Sequence, residues 1–179
     1  EAIESAGFRP GADFMLALDA AANEWTTGAS GEYTLPKAGL RLHTRDLIEH
    51  WKTLCAQYPI ASLEAPRGEE DWEGWQVLTQ ELGGRVQLVG DDLFVTNVER
   101  LQRGLQQGIA NSILIKPNQA GTLTEAMEAA RLARRAGYTA IASHRSGETE
   151  DCVVADLAIA LNAGLIKTGA PCRGERTAK

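Results

Sequence analysis

Short apolar runs alternate with longer amphipathic stretches along the chain. Each run is rich in branched residues and too short for a helix, so each predicts a buried strand. The runs are FMLALD (14–19), IASLEAP (60–66), VQLVGDD (86–92), SILIKPN (112–118), TAIASHR (139–145) and LIKTG (165–169). Apolar residues at helical spacing follow in 44–57, 70–82, 97–107, 124–136 and 149–163. This repeated order of strand and helix predicts an α/β fold with parallel strands and helical crossovers.

Capping residues and glycines predict where the helices begin and end. Thr96 with Glu99, and Thr122 with Glu125, have the spacing at which two side chains satisfy each other's free backbone N–H groups. Glycines that can adopt a left-handed conformation follow four of the helical patterns, at Gly83, Gly108, Gly137 and Gly164. The longest loop, 26–39, predicts a short hairpin or an excursion from the repeat. No Ser-, Pro- or Gly-rich linker divides the chain, so we expect one structural unit over residues 1–179.

Composition and charge argue against a nucleic-acid-binding, membrane or exported protein. The formal net charge of −6 and the lack of a clustered basic face argue against nucleic acid as a partner and favour a cation. No apolar run approaches the ~20 residues that a membrane helix needs, and the first residues do not resemble a signal peptide. The three cysteines are widely spaced without a CxxC pair, which is typical of reduced thiols. We therefore expect a cytoplasmic protein without a membrane partner.

Charged and polar residues stand at the end of every predicted strand. In chain order they are Asp19, Glu64, Asp91, Lys116, His144 with Arg145 and Ser146, and Lys167. If the strands are parallel, these ends lie on one rim, where residues distant in sequence converge. A single charge at the end of a buried strand is energetically costly, and its recurrence in six units therefore indicates a functional site.

The first three of these residues are carboxylates from three different strands. Asp19, Glu64 and Asp91 together form a set of hard oxygen ligands suited to Mg²⁺, which accepts a few carboxylates and keeps places for water and substrate. Each acid taken alone is better explained as a helix cap or as the partner of a surface lysine. Their equivalent positions favour a divalent metal.

The basic residues indicate an anionic substrate. A lysine beside a metal site is partly desolvated and close to another cation, both of which favour the neutral amine that acts as a base. Salt bridges from Lys116 or Lys167 to Asp91 or Asp92 are the structural alternative. Arg145 and Ser146 have donors that match a phosphate, and His144 beside them is a candidate for substrate contact. These residues predict metal-assisted proton abstraction next to a carboxylate, on a phosphorylated substrate.

The sequence resembles the enolase (phosphopyruvate hydratase) family. The resemblance rests on DWEGW (71–75), GDDLFVTN (90–97), LIKPNQAGTLTEA (114–126), SHRSGETED (143–151) and LIKTGAPCRGER (165–176), which follow one another in the family's order. It implies Mg²⁺-dependent, reversible dehydration of 2-phosphoglycerate to phosphoenolpyruvate in glycolysis and gluconeogenesis. The site residues that it implies are Asp19, Glu64 and Asp91 as metal ligands, with Glu64 and Asp91 also facing substrate; Lys116 as the base at C2; Lys167 at the substrate carboxylate; and His144, Arg145 and Ser146 at the substrate and its phosphate.

The same resemblance implies that the 179 residues are part of a longer enzyme. We expect six strand–helix units of a TIM-type barrel, without its first two strands, its last helix and the family's N-terminal domain. The intact protein is expected to be a homodimer, and the isolated fragment to lack useful turnover. Ala65, Asn23 and Gly174 depart from the family's usual residues. A phosphonopyruvate hydratase or another superfamily lyase therefore remains an alternative, as does a non-catalytic fragment that only binds Mg²⁺.

Overall fold

A computed structural model describes residues 1–28 and 30–179 of the chain. The contacts divide them into two compact units. The first contains the described residues of 1–93 together with 108–110, and the second contains 94–107 together with 111–179. Among the described residues, no helix is long and apolar enough to cross a membrane.

The first unit begins with a short helix and contains three parallel strands in the order β1, β4, β5. Its elements are α1 (Ala2–Ser5), β1 (Leu16–Asp19), a 3-10 turn (Ala22–Trp25), β2 (Glu32–Leu35), β3 (Leu40–His43), α2 (Thr44–Gln57), β4 (Ile60–Glu64), α3 (Trp72–Leu82) and β5 (Gln87–Gly90). Helices α2 and α3 pack against each other. Their apolar faces bury Leu47, Trp51, Trp75 and Leu78, which explains why the helical spacing of these residues was visible in the sequence.

The predicted loop at 26–39 contains the start of a hairpin. Strands β2 and β3 pair antiparallel, with Glu32 opposite His43 and Leu35 opposite Leu40. The hairpin buries Tyr33, whose side chain is 1% exposed. Of the two alternatives for this region, the short hairpin is confirmed, although it extends to His43.

The second unit has three parallel strands in the order β6, β7, β8. Its elements are α4 (Val98–Gln107), β6 (Ser112–Ile115), α5 (Pro117–Ala120), α6 (Leu123–Arg135), β7 (Thr139–Ser143), α7 (Val153–Ala160), β8 (Gly164–Lys167) and α8 (Gly174–Thr177). Every residue of β6 is buried, as expected for a strand read from a continuous apolar run. Helix α6 buries only alanines, so its backbone can lie close to the strands.

The predicted helix ends are partly right. Thr122 and Glu125 form the expected reciprocal cap, and Gly108, Gly137 and Gly164 have positive φ. Gly83 instead has φ −62°, so it does not need the conformational freedom of glycine. Thr96 does not cap α4, because the side chain of Asn97 accepts the hydrogen bond from the Arg100 N–H at 2.9 Å.

The alternation of parallel strands and helices confirms the predicted α/β class in both units. Each parallel strand ends at, or one residue before, one of the polar positions identified in the sequence. Asp19, Glu64 and Lys167 are the last residues of β1, β4 and β8. Asp91, Lys116 and His144 directly follow β5, β6 and β7. The carboxyl ends of the strands therefore carry the candidate chemistry.

Candidate functional site

The carboxylates of the first unit lie on neighbouring strands. Asp19 and Glu64 are direct register partners in the parallel pair β1 and β4. Glu64 is also in register with Val89, and Asp91 comes two residues after Val89. Asp91 is thus the first residue beyond the carboxyl end of β5. Pairing of the strands thus brings the predicted metal ligands to one edge of this unit.

The environments of the three acids differ. Glu64 is 6% exposed, Asp91 is half-buried and Asp19 is exposed. An oxygen of Asp19 accepts a hydrogen bond from the Ala21 N–H at 3.2 Å, and Ala21 has φ +46°. This bond holds the turn that leads the chain away from β1.

The donor set suits Mg²⁺ in its chemistry, since all three groups are carboxylates. Within the described ranges, however, no three His, Cys, Asp or Glu side chains are gathered closely enough to hold a metal ion. The three acids therefore lie at the ends of neighbouring strands but are not close enough together to form a complete metal site. Binding of Mg²⁺ by these residues stays a prediction.

The backbone beyond Glu64 is fixed by hydrogen bonds despite the unusual residue at 65. Ala65 has φ +43°, its N–H donates to the Val89 carbonyl at 3.1 Å, and its carbonyl accepts from the Ala22 N–H at 2.9 Å. Further along this segment, the Glu69 N–H donates to the side-chain oxygen of Asn23 at 3.3 Å. Two of the departures from the family pattern, Ala65 and Asn23, thus contribute to holding the segment after the predicted metal ligand Glu64.

A buried polar cluster lies directly after this segment and was missed from the sequence. Arg67 forms an ion pair with Asp71, and its guanidinium donates to the Thr44 carbonyl at 2.7 Å. It also lies over the ring of Tyr33, 4.9 Å from the ring centroid, and the Tyr33 hydroxyl donates to Asp71 at 2.7 Å. The only sequence signal was an Arg and an Asp four residues apart, beside apolar residues.

Lys116, the predicted base, follows β6 in the second unit and immediately precedes Pro117, the first residue of α5. The hydroxyl of Thr96 accepts a hydrogen bond from the Lys116 N–H at 2.9 Å. Thr96 also lies within hydrogen-bond distance of the Leu114 carbonyl (3.3 Å) and the Gln119 side chain (3.0 Å). Thr96 is therefore a positioning residue for the backbone at Lys116.

The conformation at Thr96 is unusual. Thr96 has φ +53° and Val95 has φ +43°, a region that β-branched residues rarely adopt. Thr96 is also 1% exposed. Such a conformation persists only where the surrounding structure determines it. This conformation directs the hydroxyl to β6 and α5, and the hydroxyl does not cap α4. The sequence around Thr96 gives no sign of these contacts.

The predicted substrate residues follow β7, close to β8 and α5. The His144 N–H donates to the Lys167 carbonyl at 2.8 Å, and Ser143 is the register partner of Lys167. The Arg145 guanidinium donates to the Asn118 side chain at 3.1 Å, two residues after Lys116. The structure therefore brings Lys116, Arg145 and the His144–Lys167 pair to the same end of the second unit.

A cavity of about 550 Å³ lies at this end of the second unit. Its lining includes Asn118, Arg145, Glu148 and Lys179. The volume is in the range of small-molecule sites. Of the predicted catalytic and substrate residues of this unit, Arg145 lines the cavity, whereas Lys116, His144, Ser146 and Lys167 do not, and Glu148 and Asp151 add acidic groups to its wall.

Two cations that the sequence reasoning did not single out hold the segment that begins at His144. Arg176 is hydrogen-bonded to His144 and to the carbonyls of Arg145 and Ser146. Lys179 donates to the Thr149 carbonyl at 2.8 Å and pairs with Glu148 at 2.9 Å. Both side chains are almost fully buried, at 4% and 1% exposed. The sequence did not reveal that these two charges are buried, because their neighbours in the chain are polar.

The helical pattern read from residue 149 starts too early, because α7 begins only at Val153. Glu148 instead accepts from the Arg145 N–H at 2.7 Å, and that bond, followed by the bond from Lys179, lowers the pKa of Glu148. Asp151 accepts from the Val153 N–H at 2.8 Å. These acids organise the loop and the entry to the helix.

The surroundings of the His144 ring disfavour its charged form. Burial of the ring lowers the pKa of His144, and the positive charges of Arg176 and Lys167 lower it further. Glu148 acts in the opposite direction but less strongly. These effects favour the neutral, hydrogen-bonding form of the imidazole.

Comparison with known protein families agrees with this arrangement. The family model described as "Enolase, C-terminal TIM barrel domain" matches residues 1–179. The match confirms the fold class, a TIM-type α/β barrel domain represented here by six strand–helix units. It also agrees with the position of the charged residues, because the carboxyl ends of the strands are the catalytic face of such barrels.

Proposed function

Since the chain belongs to the enolase family through its C-terminal TIM barrel domain, we propose that it carries out the reaction of phosphopyruvate hydratase. Membership of the family supports a lyase of the enolase superfamily. The finer proposal is Mg²⁺-dependent, reversible dehydration of 2-phosphoglycerate to phosphoenolpyruvate. One observation carries it: Lys116, Arg145 and the hydrogen-bonded pair His144–Lys167 occupy the carboxyl ends of three adjacent strands.

The basic residues match the parts of this substrate. Arg145 and Ser146 bind the phosphate, for which a guanidinium and a hydroxyl are suitable donors. Lys167 binds the carboxylate, and His144 donates to the substrate as a neutral imidazole. These contacts orient the substrate so that the hydrogen on C2 faces Lys116.

Lys116 acts as the general base. Its neutral amine takes the proton from C2, and the electron pair left on carbon forms the C2–C3 double bond as the hydroxyl leaves from C3. An acid must protonate the departing hydroxyl, which then leaves as water. By the resemblance to the family, we expect a glutamate outside these 179 residues to assist that step. In the reverse direction Lys116 returns its proton to C2.

Asp19, Glu64 and Asp91 are the residues that would hold Mg²⁺. When bound, the metal supplies positive charge that stabilises the additional negative charge on the substrate carboxylate. The protein's own contribution is to keep three carboxylates at adjacent strand ends and to shield Glu64 from solvent. Replacement of Glu64 by Gln should weaken Mg²⁺ binding in a calorimetric titration performed without substrate.

An assay of phosphoenolpyruvate formation by its ultraviolet absorbance tests the proposed function. The complete protein should convert 2-phosphoglycerate in the presence of Mg²⁺ and should lose that activity with EDTA. Preference for a phosphonate substrate would instead assign it to another lyase of the superfamily. The 179 residues alone should bind Mg²⁺ weakly and show no useful turnover, which separates binding from catalysis.

We further propose that the enzyme works in the cytoplasm, in glycolysis and gluconeogenesis, and that the complete protein is a homodimer. Sedimentation of the complete protein tests its assembly.

A further inference from the structure

Arg176 is a buried cation whose two terminal guanidinium nitrogens contact the loop after β7, while its Nε lies 3.6 Å from the Glu175 carboxylate. One terminal nitrogen of its guanidinium is hydrogen-bonded to Nδ1 of His144 and donates to the Arg145 carbonyl at 3.0 Å. The other donates to the Ser146 carbonyl at 2.8 Å. A single side chain thus contacts three consecutive residues, all of which belong to the predicted substrate site.

The chain leaves space for this contact at Gly169. A Cβ atom at position 169 would lie 2.8 Å from Cδ of Arg176, and Gly169 has φ +87°. Any other residue there would be strained and would displace the arginine. The Arg176 side chain itself is only 4% exposed, so protein atoms surround it almost completely.

The contact with His144 determines where the imidazole carries its proton. A guanidinium has only donors, so Nδ1 of His144 must accept and cannot carry hydrogen. In the neutral ring the proton is then on Nε2, which is left as a donor. Protonation of Nδ1 would bring two donors together. The other charged groups that act on the ring are Lys167, Lys179 and Glu148, two of them positive and one negative.

We propose that Arg176 is a positioning residue that fixes His144 as the neutral Nε2–H tautomer and sets the backbone of Arg145 and Ser146 for phosphate binding. The part of this inference that concerns substrate rests on the proposed function. The part that concerns the tautomer depends only on the contacts of His144. The lowered pKa of His144 agrees with a neutral ring.

Nitrogen NMR of histidine in the complete protein tests the tautomer directly. A His144→Gln variant of the complete protein identifies the signals of this ring. The wild-type protein should show His144 protonated on Nε2 at neutral pH. A His144 ring protonated on Nδ1, or charged at neutral pH, would overturn the inference without the need for any variant at position 176.

Variants of Arg176 test its role. Arg176→Met should give a mixture of tautomers and a higher titration midpoint for His144, whereas Arg176→Lys should restore part of the wild-type behaviour. Lys179→Met is the matched control, because Lys179 is a buried cation on the same loop that does not contact the imidazole. It should leave the tautomer unchanged. An Arg176→Met protein with the wild-type tautomer and midpoint would contradict the assignment.

Kinetics separate this inference from the proposed function. In Arg176→Met the KM for 2-phosphoglycerate should rise by about tenfold or more, with a smaller change in kcat, because ground-state contacts of the phosphate are lost. If the complete protein shows no turnover but the tautomer responds as described, the proposed function fails and the role of Arg176 at His144 stands. If turnover is present and KM is unchanged in Arg176→Met, the role in phosphate binding fails.

Discussion

Arg67 and Asp71 form an ion pair inside the first unit, and their side chains are only 0% and 7% exposed. Asp71 also accepts from the Tyr33 hydroxyl and, at 3.1 Å, from the Gly74 N–H at the start of α3. The pair therefore connects the hairpin and α3 to the segment that follows Glu64. Because removal of one partner leaves the other charge buried, such a pair is sensitive to single substitutions.

Arg67→Met should destabilise the protein by about 3–5 kcal/mol, since it leaves the Asp71 carboxylate buried without its cation. The free energy of unfolding in urea measures the effect. Arg9→Met is a matched control, because Arg9 and Asp13 also form an Arg–Asp pair four residues apart but Arg9 is exposed. The control should unfold at the wild-type urea concentration. Equal midpoints for both variants would contradict a buried role for Arg67.

Gly104→Ala tests the packing of α4. A Cβ atom at position 104 would lie 2.5 Å and 2.9 Å from two ring carbons of the buried Phe94. The clash is expected to cost about 1–3 kcal/mol and to exceed the gain of roughly 1 kcal/mol that alanine has over glycine in a helix. Thermal unfolding should therefore shift downward. Gly84→Ala, where nothing lies within 4 Å, should leave the midpoint nearly unchanged; a stabilised Gly104→Ala would refute the clash.

Alkaline pH should destabilise the protein through Tyr138. Burial raises the pKa of Tyr138 to about 12, whereas an unfolded tyrosine titrates near its ordinary value of about 10. The folded state thus binds the proton more tightly, and this contribution to stability is complete below pH of about 10 and is lost as the pH rises toward 12. Burial also raises the pKa of Tyr33, which acts in the same direction.

Tyr138→Phe should therefore reduce the loss of stability above pH of about 10, without removing it. Urea unfolding at a series of alkaline pH values measures the change. Tyr58→Phe, at an exposed tyrosine, is the control and should follow the wild-type curve. An unchanged slope in Tyr138→Phe would contradict a buried, neutral Tyr138.

Thr96→Val should loosen the backbone at Lys116. The substitution removes the hydroxyl that accepts from the Lys116 N–H, and an unsatisfied buried donor costs about 1–3 kcal/mol. Amide hydrogen exchange at Lys116 should become faster. The value of kcat should fall by a larger factor than the affinity for substrate. Thr124→Val, at an exposed position in α6, is the control. Unchanged exchange at Lys116 in Thr96→Val would show that another group holds this backbone.

The sequence was sufficient to predict the strands and the residues at their ends. The run SILI is fully buried in the structure as strand β6. A charged residue that follows such a run lies at the carboxyl end of the strand. Thr122 and Glu125 were predictable for the same reason, since a reciprocal cap depends only on residues three positions apart.

The residues that were missed depend on partners distant in the chain. Arg176 contacts residues about 30 positions earlier, and Thr96 bonds to Lys116 twenty positions later. Nothing in the local pattern around either residue indicates those contacts. The start of the helical pattern at 149 was too early, because the side chains of Glu148 and Asp151 bond to the loop backbone, and such local bonds compete with a helical turn.

The role of Lys116 as the base is the central claim, and exchange of the C2 hydrogen of 2-phosphoglycerate with deuterium from solvent measures it most directly. With Mg²⁺, the complete wild-type protein should exchange this hydrogen, and Lys116→Ala should slow the exchange by at least ~100-fold, the typical contribution of a general base. Lys52→Ala, at a half-buried lysine of α2 that pairs with Glu49 and Glu81, should exchange at the wild-type rate. Wild-type exchange in Lys116→Ala would contradict the account.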